Sequence, residues 1–312
     1  MLLGIDIGGT EIKAATVNQS GTVVQARRVS TPASLALFRQ AVCGLVGELL
    51  TPPATVHGVG IGCKGIINPK TSRVDVLPGT LHYLEGQLLA EIVSPALPGG
   101  TAIASDNDAR VALCGEMAWG AARGIRNAIL LTLGTGVGGA ILADGRILRG
   151  ASGVAGHLGH LTVDPDGPLC ICGNRGCLET LFSARTIESE AFAAIHRGID
   201  SRLLDFEQKV PSCAQVFDLA GQGDKVAGGI VAQATRVLGA GIAGLVHVLD
   251  PEIIILGGQI SAAGNALLEP LRQEIRWRTH GLLRREVPVV VSALPDPSGV
   301  IGAAALALEA TR

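Results

Sequence analysis

Two stretches of the chain, "IDIGGTEIKAA" at residues 5–15 and "LTLGTGVGGAI" at 131–141, repeat one pattern: an apolar strand, a Gly/Thr turn and a second apolar strand. Glycines let backbone N–H groups crowd around a small concavity, and threonine hydroxyls add donors to it, so such a turn suits an anion. One copy is an ordinary hairpin. Two matched copies in separate halves point to a duplicated lobe that grips a nucleotide in the cleft between its copies. A third glycine turn, "ILGGQIS", ends a later buried strand. Neither of the two matched turns follows closely the spacing of the G-x-x-x-x-G-K-[ST] phosphate loop or of the G-x-G-x-x-G dinucleotide pattern.

The remaining sequence supports an α/β chain with mixed sheets. Strands are expected at 2–8, 11–18 and 22–29, followed by a helix over 34–50, the separator "TPPAT" and a strand in "VHGVGIG". A short strand, "TAIAS", runs into the helix of "DNDARVALCGEMAWGAA", where Asp106 is the expected N-cap. After residue 179 the chain reads as mainly helical to about 249, then strand "EIIILGG", helix 263–280, strand "VPVVVS" and a closing helix at 298–311. A length of 312 residues suggests two lobes: 1–117 with the C-terminal helix of about 299–312, and 118–298.

Composition narrows the partners. A formal charge of −2 gives no electrostatic reason to expect nucleic acid or an anionic membrane. The chain opens on a strand-like run with no basic, cleavable apolar leader. Residues 127–143 are uncharged, but glycines and threonines interrupt them, so strand–loop–strand is expected there and not a membrane span. Seven cysteines, an odd number, favour a reducing cytoplasm over a disulfide scaffold.

Phosphoryl transfer needs a metal ion, backbone donors and a base for the attacking hydroxyl. Asp6 ends the first strand beside the first turn, where it could hold Mg²⁺ directly or through water. Thr10 and Thr135 are matching hydroxyls in the two turns. Lys13 either neutralises phosphate or lies on a solvated face. Asp108, at the mouth of a helix that follows a strand, is rigidly placed to accept a hydroxyl proton.

One segment, "HLGHLTVDPDGPLCICGNRGCLE" at 157–179, carries a different chemistry. Cys170, Cys172 and Cys177, with His160 upstream, supply four ligands for tetrahedral zinc. Four protein ligands leave no open position, so the zinc is expected to be structural. Cys43, Cys63, Cys114 and Cys213 are dispersed and read as small core residues.

Taken together, "DIGGTEIK", "NDA", "LGTGVGGAI", "GHLTVDPDGPLCICGNRGCLE" and "ILGG" resemble the ROK family (repressors, open reading frames and kinases) along nearly the whole chain. The resemblance implies a two-lobed, actin-like (ribonuclease H-like) fold with mixed sheets and an interlobe cleft. It implies a kinase that phosphorylates the 6-hydroxyl of a small-molecule sugar with ATP. On that basis Gly8, Gly9 and Thr10, with Gly134, Thr135, Gly136 and Gly138, hold the ATP phosphates, and Gly257 and Gly258 border the adenosine. Asp108 is the general base, Asn107 and Gly65 touch the sugar, His160 serves zinc and sugar together, and Glu179 accepts from a sugar hydroxyl. Family members commonly form dimers, so a homodimer is expected. Family repressors carry an added N-terminal winged helix-turn-helix, which this chain has no room for, so DNA binding is not expected.

Two departures from the family pattern stand out. His157 replaces a glutamate that contacts sugar hydroxyls in most members. Bacterial N-acetylmannosamine kinases share that replacement and the "DP-x-GP-x-C-x-C-G" run, which makes N-acetylmannosamine the preferred substrate and leaves glucose and N-acetylglucosamine as competitors. A neutral imidazole offers one donor and one acceptor where a carboxylate only accepts. The second departure is "LPGTLHY", which puts Gly79 and Thr80 where many members have Pro-Asn-Leu. A catalytically silent sugar-binding regulator is the alternative of a different class.

Overall fold

The computed structural model describes residues 1–50, 56–206 and 210–311. The "TPPAT" separator, residues 207–209 within the stretch read as mainly helical, and Arg312 of the closing lobe segment lie outside the described residues.

The first half of the chain builds strands β1 (Leu2–Ile7), β2 (Glu11–Val17) and β3 (Val23–Ser30), then helix α1 (Leu35–Leu49) and strand β4 (Gly58–Cys63). A hairpin of β5 (Ile66–Asn68) and β6 (Arg73–Val76) follows, absent from the sequence reading, and after it come α2 (Leu89–Val93), β7 (Ala102–Asn107) and α3 (Asp108–Trp119). The sheet order is β3-β2-β1-β4-β7, antiparallel on its hairpin side and parallel across β1, β4 and β7.

Strand β4 reads Gly-Val-Gly-Ile-Gly-Cys, a period-2 alternation in which one face has no side chains. Val59, Ile61 and Cys63 enter a core with Phe38, Val42 and Val46 of α1. The glycine face receives a helix at backbone contact: a Cβ on Gly60 would stand 1.8 Å from the Ala303 carbonyl oxygen. That helix is α9, introduced below.

The second half supplies β8 (Ala128–Leu133), β9 (Val137–Ala143) and β10 (Arg146–Ile147), then helices α4 (Leu178–Leu181), α5 (Ala184–His196), α6 (Cys213–Gly221) and α7 (Lys225–Leu249). Strand β11 (Ile253–Gly257), helix α8 (Asn265–Thr279), strand β12 (Val289–Val291) and helix α9 (Ser298–Ala310) complete it. Its sheet order is β10-β9-β8-β11-β12, with β8, β11 and β12 parallel. Helix starts carry their sequence signals: Ser183 caps α5, Ser212 and Gln215 form a capping box on α6, and Asp224 accepts from two N–H groups of α7. This is the mixed-sheet α/β class expected from the sequence.

The chain divides into two compact units, residues 1–126, 140–156 and 292–312, and residues 127–139 and 157–291. The first unit is larger than the expected 1–117 plus 299–312. Two buried polar anchors account for the difference. Arg110 of α3 donates to the carbonyls of Gly153 and Ala155, and Glu116 accepts from the Ser292 hydroxyl and the Ala121 N–H.

Candidate active site

In the first unit, the parallel register pairs Ile7 of β1 with Cys63 of β4, and Cys63 with Asn107 of β7. The three strands therefore end level, and their next residues are Gly8, Lys64 and Asp108. Ligands of open α/β sheets bind at such carboxyl ends. Asp108 is the first residue of α3, and its Oδ1 accepts from the Ala109 N–H at 2.9 Å. Asn107 is the actual N-cap: its Oδ1 accepts from the same N–H at 3.0 Å, while its Nδ2 donates to the Gly65 carbonyl at 3.0 Å. Gly65 holds φ +87°, and a Cβ there would stand 2.3 Å from the Val76 carbonyl oxygen, so the position demands glycine. Asn107, Asp108 and Gly65, expected together on the sugar, are brought together.

The N-cap expected at Asp106 is a misreading. Asp106, the penultimate residue of β7, is fully buried, with Oδ1 accepting from Arg110 at 2.9 Å and Oδ2 from Arg149 at 2.8 Å. It is the hub of a buried ion cluster, and the cap moves one residue on because β7 extends through Asn107.

Asp6 lies one residue before the end of β1. Burial, then the nearby Asp108 carboxylate, push its carboxyl up to about 6 against the opposing pull of Lys13. Lys13 is Asp6's cross-strand partner and also lies 3.8 Å from Glu11. Two neighbouring carboxylates with one lysine opposite form an oxygen donor set short of positive charge, which fits a hard cation such as Mg²⁺. The first turn is closed by the Gly8 N–H donating to the Glu11 carbonyl at 3.0 Å, and the Thr10 carbonyl accepts from the Thr31 N–H. A Cβ on Gly9 would meet Thr80 Oγ1 at 3.2 Å and Lys64 Nζ at 3.8 Å. Lys64 donates to Thr80 Oγ1.

In the second unit, the matching turn is closed by the Gly134 N–H donating to the Gly136 carbonyl, with Thr135 exposed at its tip and Gly138 on β9. A Cβ on Gly136 would stand 2.6 Å from Glu179 Oε2, which accepts from the Val137 N–H at 3.4 Å. Both glycine turns thus enclose space that a side chain would fill, as a phosphate cradle requires. Gly257 ends β11 and Gly258 follows at φ +84°, packed against the Leu133 backbone.

The metal-ligating atoms of His160, Cys170, Cys172 and Cys177 all lie within 4.8 Å of one another. Cys170 Sγ is 3.6 Å from His160 Nδ1, and Cys172 Sγ is 3.6 Å from Cys177 Sγ. Tetrahedral zinc with Zn–S near about 2.3 Å needs ligand separations of about 3.7 Å, so the set fits that ion. Burial pushes the Cys170 thiol up to about 12, the direction that a bound divalent cation reverses. Glu179 Oε1 lies 3.5 Å from Cys170 Sγ and 3.8 Å from His160 Nδ1, so this carboxylate spans the cysteine cluster and the glycine turn. His157 stacks parallel to His160, with ring centroids 6.5 Å apart.

Sequence reasoning missed Lys64, Arg110 and Arg149. A lone Lys or Arg carries no local signal, and only the strand register and the buried Asp106 reveal them.

A family model described as the ROK family matches residues 2–310. A glucokinase of Thermotoga maritima is 32% identical, covering 99% of this chain and 97% of its own. An N-acetylmannosamine kinase of Citrobacter koseri is 35% identical over 86% of each. The crystal structure of a ROK family glucokinase from Streptomyces griseus, in complex with glucose and AMPPNP, superposes with a TM-score of 0.85 at 32% identity, covering 99% of both chains.

Proposed function

The chain belongs to the ROK family and is a sugar kinase, and from that premise we propose that it transfers the γ-phosphoryl group of ATP to the 6-hydroxyl of a hexose or N-acetylhexosamine, with Asp108 as base. The observation that carries the assignment is Asp108 itself: a carboxylate fixed at the first position of α3, level with the glycine turn after β1.

In the proposed reaction the sugar 6-oxygen forms a bond to the γ-phosphorus while its proton passes to Asp108. The bond from that phosphorus to the bridging oxygen breaks, and its electron pair leaves with ADP. Asn107 holds the Gly65 carbonyl and caps α3, which fixes the base against the sugar-facing backbone. Asp6 is the residue that would hold Mg²⁺, which when bound supplies neutralisation of the phosphate charge. His160, Cys170, Cys172 and Cys177 would hold a structural zinc that orders the 157–179 loop.

N-acetylmannosamine is the substrate we favour, because His157 stands where most family members carry a glutamate. Glucose is the second reading, supported by the likeness to the Thermotoga maritima glucokinase over 99% of this chain. The cysteines are free thiols among the described residues, which suits the cytoplasmic setting we assign. The assembly we assign is a homodimer. A coupled assay of ADP release against a panel of hexoses and N-acetylhexosamines tests the function and ranks the sugars. Saturable release with at least one 6-hydroxyl sugar, lost in Asp108→Ala, is the expected result. Binding of sugar without release in the wild type would instead identify a regulator.

A further inference from the structure

Three parallel strands of the first unit end in one row, and each hands the chain to a different kind of group. After Ile7 comes the glycine turn, after Asn107 comes the base Asp108, and after Cys63, on the strand between them, comes Lys64. Adjacent strands lie about 4.8 Å apart, so the middle position faces the path between the phosphate turn and the base. The Cys63 thiol registers the same arrangement. Burial raises it most, and the charges of Asp108, Asp6 and Lys64 all reach it.

The lysine is held in place. Its ammonium donates to Thr80 Oγ1, and both groups stand over Gly9, at 3.8 and 3.2 Å from where a Cβ on that glycine would lie. Thr80 is presented by a tight turn whose flanking residues, Gly79 at φ +92° and Leu81 at φ +66°, both adopt the left-handed conformation. Leu81 has a side chain and is buried, so the turn keeps a strained residue there. Strain of this kind persists where the surroundings over-determine it.

We propose that Lys64 is a further catalytic residue, contacting the γ-phosphoryl group as it passes from ATP to the sugar, with Thr80 as the residue that positions its ammonium. The inference rests on the sugar-kinase reading for the identity of the acceptor. An ammonium suits the role as a compact point charge that follows a moving anion, whereas a fixed guanidinium fork suits a static one. Phosphoryl transfer spreads negative charge over the three oxygens of the transferred group, and a cation placed there stabilises the transition state.

The test uses the full chain as Lys64→Met, Lys64→Arg and Thr80→Val, with thermal melts to verify folding; Lys64 is half-exposed and Thr80 exposed. Calorimetry with Mg²⁺ compares a non-hydrolysable ATP analogue with ADP. Lys64→Met is expected to weaken the analogue about tenfold and ADP less than about twofold, since only the analogue carries the contacted phosphate. In turnover, Lys64→Met should lose on the order of a hundredfold in kcat, Lys64→Arg should recover part of it, and Thr80→Val should lose about three- to tenfold. Equal loss of analogue and ADP affinity, or none, overturns the proposal. So does a loss of sugar affinity in Lys64→Met as large as the loss in kcat/KM, which would make the residue a sugar reader. Should the wild type phosphorylate no hexose, the sugar-kinase reading fails by that result alone, and the nucleotide comparison still decides the contact with the terminal phosphate.

Discussion

Oε1 of Glu179 sits 3.5 Å from the sulfur of Cys170. The opposite oxygen of the same carboxylate accepts from the Val137 N–H beside the second glycine turn. A metal-binding loop with little apolar content of its own is thereby wired to the residues that are expected to meet phosphate and sugar. One side chain thus joins the cysteine–histidine cluster to the second glycine turn.

Removal of the metal should therefore impair recognition before it unfolds the protein. Cys172→Ser, or dialysis against a strong chelator, is expected to abolish stoichiometric zinc. It should raise the sugar KM by roughly tenfold or more, because Glu179 loses the ordered neighbours that orient it. Elemental analysis with sugar saturation curves measures both.

Asp108→Ala should lower kcat by about 10²- to 10⁴-fold, the usual contribution of a positioned base. The Ala109 N–H that the Asp108 carboxylate accepts from is also capped by Asn107, so melting temperature should move by a few degrees at most. Steady-state rates and a thermal melt on one preparation check the pair of expectations.

Asp6 makes the metal-free protein pH-sensitive. Its folded-state value of about 6 lies above the unfolded 3.8, so folding favours the protonated form. Below pH 4 both states are protonated and there is no penalty. As pH rises from about 4 to above 6, stability should fall by at most about 3 kcal/mol, and Mg²⁺ with nucleotide should offset the fall because both require the ionised form. Urea unfolding across that pH range, with Asp6→Asn as the flat control, measures it.

Arg110→Met should be the most destabilising of these changes. It leaves Asp106 buried with only Arg149 as a charged partner and frees the carbonyls of Gly153 and Ala155, at a cost of about 3–5 kcal/mol. The double variant with Asp106→Asn should recover part of that, because the fully buried carboxylate charge is gone and Arg149, left without its partner, is partly exposed to solvent. A double-mutant cycle by chemical denaturation gives the coupling.

What could be read from the chain alone follows how far apart the interacting residues lie. His160, Cys170, Cys172 and Cys177 fall within eighteen residues and the glycine turns repeat a local pattern, so the clustering of the first and the existence of the second were legible. The helix start in "SDNDAR" offers several side chains able to cap, and only the pairing of Cys63 with Asn107 decides among them. Lys64 with Thr80, and Asp106 with Arg149, are joined by tertiary contacts across sixteen and forty-three positions, which no local rule anticipates. The segments that Arg110 and Glu116 recruit to the first unit are distant in sequence for the same reason.

The glycine face of β4, closed by α9, bears on the order in which the molecule can be made. Residues 1–126 emerge from the ribosome first, yet the helix that seals their sheet spans Ser298–Ala310. All of 157–291 must be synthesised in between. A nascent chain therefore carries an open, side-chain-poor sheet surface through most of its translation, and a chaperone that shields backbone-rich surfaces would find its substrate there.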